Sequence, residues 1–196
     1  MNAAASKPEG KKLGWNVLSS RHLFEGKMFK LRADEIQISG HAPSSYEYEE
    51  RAPAVIIVPV TAEGEIVLIR QYRYPVDAWC LETPAGGTHD TGGMPLEEVV
   101  RKELCEEIGA VAGAVEKVAQ FYAAPAFADE VSHVFVAWEI ELSKEPERER
   151  GEAIELRIVP AAQAMKAARG GEVTTGPCAL ALLTCEPLLR KRGFLA

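Results

Sequence analysis

The chain has 196 residues, 47% of them hydrophobic and 26% charged, which suits one substantial globular domain with a small appendage. Acidic residues outnumber basic ones 29 to 22; a net charge of −7 argues against nucleic-acid binding, and an anionic substrate would need cations. No run of about 18 apolar residues marks a membrane span, and the start, MNAAASKPEGKK, lacks the apolar core of a secretory signal, so a cytoplasmic protein is expected.

In chain order, residues 1 to about 12 are small and polar and read as a loose tail. From Trp15 to Glu50 the pattern is short strands and turns, with FKLRADEIQI as a strand and SGHAPSS as a turn cluster. AVIIVPV, residues 54–60, is a β-branched run of the kind found in a buried strand. TAEGE turns the chain and IVLIRQYR follows, so a hairpin is expected there. WCLETPAG reads as a strand ending in a Pro-Ala-Gly turn, and GTHDTGGMP as a Gly-rich loop. A helix is expected from Pro95 or Leu96 to Ile108, stopped by Gly109. VEKVAQFYA and SHVFVAWEIEL read as strands separated by APAFADE, and SKEPERERGE as a charged loop. PAAQAMKAARG and about Gly176 to Arg192 read as closing helices. This order predicts a layered α/β or α+β domain over 51–196, preceded by a small unit over 1–50. The four cysteines, Cys80, Cys105, Cys178 and Cys185, have no Cys-x-x-Cys spacing, and the four histidines form no ligand pattern.

The helix expected over 96–108 carries an oddity. Leu96, Val100, Leu104 and Ile108 form an apolar stripe, and Glu103, Glu106 and Glu107 border it instead of lying opposite. Like charges at i, i+4 cost roughly 0.2–0.5 kcal/mol. Anions in the last helical turn cost about 0.3–1 kcal/mol more. Lys102 can offset part of this through Glu98 or Glu106, and Arg101 through Glu97. A solvated charged face is the ordinary reason for a Glu-rich helix. Its charges belong on the opposite side, however, and a site for hard divalent cations such as Mg²⁺ explains the placement better.

At this point the sequence resembles the Nudix hydrolases, whose box is G-x5-E-x7-R-E-U-x-E-E-x-G-U with U aliphatic. Lys102 to Ala110 match its last part, with Glu103, Glu106 and Glu107 all present; Met94 stands at the first box glutamate and Lys102 at the box arginine. RQYRYPVDAWCLETPAG and APAFADE are similar to stretches of the ADP-ribose pyrophosphatase branch, the second with Ala124, Ala126 and Ala128 where that branch has Ser, Gly and Ser. The resemblance covers about residues 15 to 185. It implies an α/β/α sandwich with a mixed sheet, plus a small N-terminal antiparallel β subdomain that forms a homodimer.

The same resemblance implies the site. Glu103 and Glu107 would be the main metal ligands, supported by Glu106 and the backbone carbonyl of Ala85, while Glu82 would bind metal or substrate. The metal would be Mg²⁺, with Mn²⁺ as the alternative. Glu130 would position or deprotonate the attacking water, with Asp129 as its competitor. Arg73 would contact substrate phosphates, with Arg70 and Arg51 as weaker candidates. Trp15, Phe29 and Tyr72 suit either base stacking or packing. The implied activity is hydrolysis of ADP-ribose to AMP and ribose 5-phosphate, or of a related nucleoside diphosphate sugar such as GDP-mannose. A ligand-binding module with weakened catalysis is the alternative of another class.

Overall fold

The computed structural model describes residues 7–148 and 150–196. They fall into two compact units, one comprising the described residues up to Ala52 with Ala124–Glu130, the other Pro53–Ala123 with Val131–Ala196. The first unit thus recruits a distant loop that sequence order alone assigns to the larger domain.

In the first unit a short helix, α1 (Pro8–Lys12), precedes three antiparallel strands, β1 (Trp15–Glu25), β2 (Lys30–Ile38) and β3 (Ser44–Glu50), in that spatial order. Part of the expected loose tail is therefore helical; its residues 1–6 lie outside the described ones. β1 is one long strand where short strands were expected. Register shifts at Val17/Ser19 and His22/Phe24 break its alternation, so its sequence lacks a clean period of two. The loop 124–130 is pinned by Phe127 O, which accepts from Glu49 N–H at 2.8 Å, and by Asp129 N–H, which donates to Glu49 O at 3.1 Å.

The second unit is built on a mixed sheet. Its strands are β4 (Ala54–Val60), β5 (Glu65–Arg73), β6 (Ala78–Glu82), β7 (Ala85–Gly87), β9 (Ala114–Tyr122), β10 (Val131–Trp138) and β12 (Ile154–Pro160), in the order β12-β5-β4-β10-β9. β10 runs parallel to β4, and the other pairs are antiparallel. β8 (Ala110–Val111) and β11 (Glu141–Leu142) form a small separate ladder. Glu139, at φ 52, breaks the expected continuous strand 132–142 between β10 and β11.

The period of two decides the layers. Ile56, Val58, Ile66, Leu68, Val134 and Val136 join one core, under α3 (Ala161–Gly170) and α4 (Gly176–Lys191). Their neighbours Val55, Ile57, Val67, Ile69 and Phe135 join the other, under α2 (Leu96–Ile108). The result is an α/β/α sandwich. The expected β4–β5 hairpin opens after a single pair, Val60 with Ile66. β6 adds to β5 and β7 adds to β4 in the space between them. This puts the Pro-Ala-Gly turn in the middle of the sheet, beside α2. The strand Ile154–Pro160 is not among the elements expected from sequence, although its alternating Ile154, Leu156 and Ile158 carry the signal.

Candidate active site

α2 runs over the residues expected of it. Val99, Val100, Leu104 and Ile108 are buried, and so is Glu107, at 3% exposure. Gly109 ends the helix at φ 65, and a Cβ there would stand 2.1 Å from Lys144 O, so glycine is required on two counts. Arg148 Nε donates to the Glu107 carbonyl at 3.1 Å and brings positive charge to the end where the helix dipole is negative. Lys102 Nζ reaches Glu106 Oε2 at 2.6 Å and stands 3.9 Å from Glu103 Oε1, while Arg101 leaves the helix face and donates to Ala112 O at 2.7 Å.

The other wall is the turn at β7. Ala85 N–H donates to Glu107 Oε2 at 3.1 Å, and Glu103 lies so close to Gly86 that a Cβ there would fall 2.1 Å from the Glu103 Cδ. Burial, more than any other cause, raises both carboxyls. Glu103 is pushed up to about 7, with Lys102 opposing and Glu106 and Glu152 adding; Glu107 is raised well above its usual value by burial, then by Glu103 and Glu152. Among the described residues no three His, Cys, Asp or Glu side chains form a ready-made metal cage. A hard cation that keeps waters and takes substrate oxygens needs only one or two carboxylates. Two neighbouring carboxyls resisting ionisation, over a glycine that makes room for one of them, fit such an ion.

Glu82 is 1% exposed, and its contacts account for that. Arg73 Nε lies 3.1 and 3.2 Å from its two oxygens and Nη2 lies 2.5 Å from Oε2. Thr175 Oγ1 donates to Oε1 at 2.6 Å. A buried carboxylate with this many donors is compensated. Glu82 and Arg73, separate candidates from sequence, are thus one ion pair. Arg70 lies earlier on β5, pairing with Glu155 at 3.3 Å and covering the ring of Trp79. Tyr72 also packs edge-on against Trp79 and donates to Asp77 Oδ1 at 2.8 Å, while Phe29 packs against Phe24. Trp15 is half exposed on β1.

Arg51, Asp129 and Glu130 belong to the first unit. Asp129 Oδ1 accepts the Arg51 backbone N–H at 2.8 Å, and Arg51 Nε lies 3.0 Å from Glu130 Oε2. Asp129 therefore shapes the loop, and Glu130 is held by a guanidinium. Glu152, not among the sequence candidates, lies in the second unit just before β12, where Ala153 O accepts from Tyr72 N–H at 3.1 Å. Its charge is felt by both Glu103 and Glu107. No motif marks Glu152 in the charged loop 143–152; only the fold brings it to the glutamate helix.

A model of the NUDIX domain matches residues 50–175, more than half of the chain. This chain belongs to the Nudix family. Its relatives place it in the family's ADP-ribose pyrophosphatase branch. The chain is 32% identical over 173 residues to an ADP-ribose pyrophosphatase of Bacillus subtilis, covering 88% of this chain and 92% of that protein. A GDP-mannose pyrophosphatase of Salmonella arizonae is 31% identical over 144 residues, 69% of this chain and 73% of that one. A crystal structure of an ADP compounds hydrolase shares the fold at a TM-score of 0.78 and 20% identity, covering 92% of this chain and 97% of that chain. Among the described residues no helix is long and apolar enough to cross a membrane.

The two departures from the Nudix box have physical consequences. Met94 is partly buried against the core under α2, so this position has passed to packing. Lys102 bridges toward two of the three helix carboxylates as a point charge, without the planar fork of arginine. Gly86 leaves room for the Glu103 side chain. Replacing it with alanine would push the flexible Glu103 carboxylate aside and leave the backbone in place. If Glu103 is a metal ligand, Gly86→Ala should therefore lose most turnover and keep a melting temperature close to wild type. Unchanged kcat in the variant would show that Glu103 does not need this position.

Proposed function

We propose that this chain, a hydrolase of the Nudix pyrophosphatase type, cleaves ADP-ribose to AMP and ribose 5-phosphate with Mg²⁺, Mn²⁺ being the substitute. The observation that carries the reading is the pairing of buried Glu107 and partly buried Glu103 against Ala85 and Gly86. The substrate class follows from the ADP-ribose pyrophosphatase that the chain resembles over nearly its whole length. Glu103 and Glu107 hold the cation, Glu106 supports them from the exposed side, and the Ala85 carbonyl is a further oxygen donor. A divalent ion bound there neutralises phosphate charge and lowers the pKa of bound water. Arg73, anchored on Glu82, grips the phosphates; Arg70 and Arg51 are the weaker candidates for that role. GDP-mannose is the second substrate reading, supported by the GDP-mannose pyrophosphatase relative.

Two carboxylates compete to activate the water. Glu130 is the one that the APAFADE loop suggests. Glu152 is the second candidate: it lies in the same unit as Glu103 and Glu107, and its charge adds to the raising of both.

The deciding experiment incubates purified protein and Mg²⁺ with ADP-ribose, GDP-mannose, other nucleoside diphosphate sugars, dinucleoside polyphosphates and NADH. ADP-ribose should show the highest kcat/KM, with AMP and ribose 5-phosphate as products. A higher value for GDP-mannose would transfer the substrate assignment, and turnover of none would sink it.

The same reading makes the protein a cytoplasmic homodimer. Exposed Leu18, Leu23, Phe24 and Met28 in the first unit support the dimer, which a monomer mass in sedimentation equilibrium would refute. The free cysteines Cys80, Cys105, Cys178 and Cys185 suit a reducing compartment, which cell fractionation would test.

A further inference from the structure

The hydroxyl of Thr175 is misplaced for its position in the chain. Thr175 is the N-cap residue of α4, where a threonine side chain ordinarily accepts from a backbone N–H of the first turn. It makes no such bond. Instead Thr175 Oγ1 donates to Glu82 Oε1 at 2.6 Å, across 93 positions of sequence. The segment leading into α4 is tied to the same strand a second time, by a parallel bridge between Val173 and Leu81. A third tie follows one turn into the helix, where Cys178 Sγ contacts Thr83 O at 3.7 Å. Glu82 is thus clamped from one side by the start of α4 and from the other by Arg73.

The geometry at Arg73 gives the clamp a purpose. Glu82 engages the Nε and Nη2 atoms, one edge of the guanidinium. The edge formed by Nη1 and the second Nη2 proton points elsewhere, and the Arg73 side chain is 41% exposed while Glu82 is 1% exposed. A guanidinium held along one edge by a buried carboxylate presents the other in a fixed plane, and that plane suits two phosphate oxygens. The carboxylate can fix the plane only if it cannot rotate. Paired through both oxygens, Glu82 and Arg73 can still turn together, whereas a second donor from a different element holds the carboxylate plane.

We propose that Thr175 is a positioning residue for substrate phosphate: through Glu82 it sets the plane in which Arg73 meets the pyrophosphate. The inference rests on the reading of Arg73 as a phosphate contact, and the variants below separate the two. Arg73 grips phosphate alike in the bound substrate and the transition state, so disturbing it acts on binding. Thr175→Val keeps the shape of the side chain and removes the donor. It should raise KM for ADP-ribose about tenfold with kcat within about twofold of wild type. Thr175→Ser should restore KM. The dissociation constant for ADP-ribose, measured by calorimetry in EDTA, should rise in parallel with KM. Arg73→Ala should raise KM at least as far, and Arg73→Ala/Thr175→Val should be no worse than Arg73→Ala alone, because the threonine acts only through the arginine. Additive losses in the double variant would overturn the coupling. So would a normal KM in Thr175→Val beside a raised KM in Arg73→Ala. A normal KM in Arg73→Ala itself would overturn the phosphate assignment instead. Should Thr175→Val fold poorly, Thr175→Ala enters the same cycle, and a KM shift in it that serine does not reverse would count against the hydroxyl.

Discussion

Glu107→Gln should lower kcat by about 10³-fold, the equivalent of about 4 kcal/mol of transition-state stabilisation, with the fold intact. Glutamine keeps the side-chain volume and can still accept the Ala85 N–H, but it brings no charge to a cation. The same substitution should change stability in the opposite direction when metal is withheld. Burial pushes the Glu103 carboxyl up to about 7 and Glu107 well above the ordinary 4.5. A carboxyl that ionises less readily folded than unfolded stabilises the protein below its unfolded value. That contribution is lost as pH rises through the folded value. In EDTA the wild-type melting temperature should therefore fall between about pH 4.5 and 7, and Glu107→Gln, with one such proton fewer to lose, should fall less. Calorimetric scans across that range test the sign. Equal slopes for the two proteins would mean that Glu107 ionises freely and that its burial is not a strain a cation relieves. Full activity in the variant would remove it from the metal site altogether.

The second large effect concerns the water. If Glu152 is the base, Glu152→Gln should lower kcat by roughly 10²–10⁴-fold, the usual contribution of a positioned general base. KM and the Mg²⁺ concentration at half-maximal rate should move little, since the helix carboxylates are untouched. Glu130→Gln should cost much less. Its carboxylate already pairs with Arg51, and its neighbour Asp129 is engaged in holding the loop. The two variants should also differ in pH profile. Loss of a base flattens the acidic limb of kcat, while loss of a loop-fixing ion pair scales the whole curve. A collapse of kcat in Glu130→Gln with a mild Glu152→Gln would hand the role to Glu130, as the APAFADE loop suggests.

These tests also mark how far the sequence reaches. Helix α2 and its carboxylates were legible because every part of their signal is local: the apolar stripe at helical spacing, the unfavourable glutamates beside it and Gly109 at the stop. β4 was legible for a similar reason, since a strand buried on both faces reads as an unbroken β-branched run. β12 is hidden in the sequence although its alternation is present, because it follows directly on a charged loop and runs straight into α3. β1 was blurred by two register shifts that interrupt its period.

What sequence alone determined, then, is the set of groups whose chemistry depends on near neighbours: three glutamates on one helix, a Pro-Ala-Gly turn, an arginine at the end of a strand, and the family they resemble. What only the tertiary structure decided is which of these meet. Glu82 belongs to Arg73 and Thr175, Gly86 gives way to Glu103, the charge of Glu152 acts on the helix carboxylates, and Asp129 accepts from the Arg51 backbone. Each of these pairings closes a long stretch of chain or crosses between sheet, helix and loop. The charge of one partner carries no mark of the other until the sheet brings β5, β6 and β7 together beside α2 and α4.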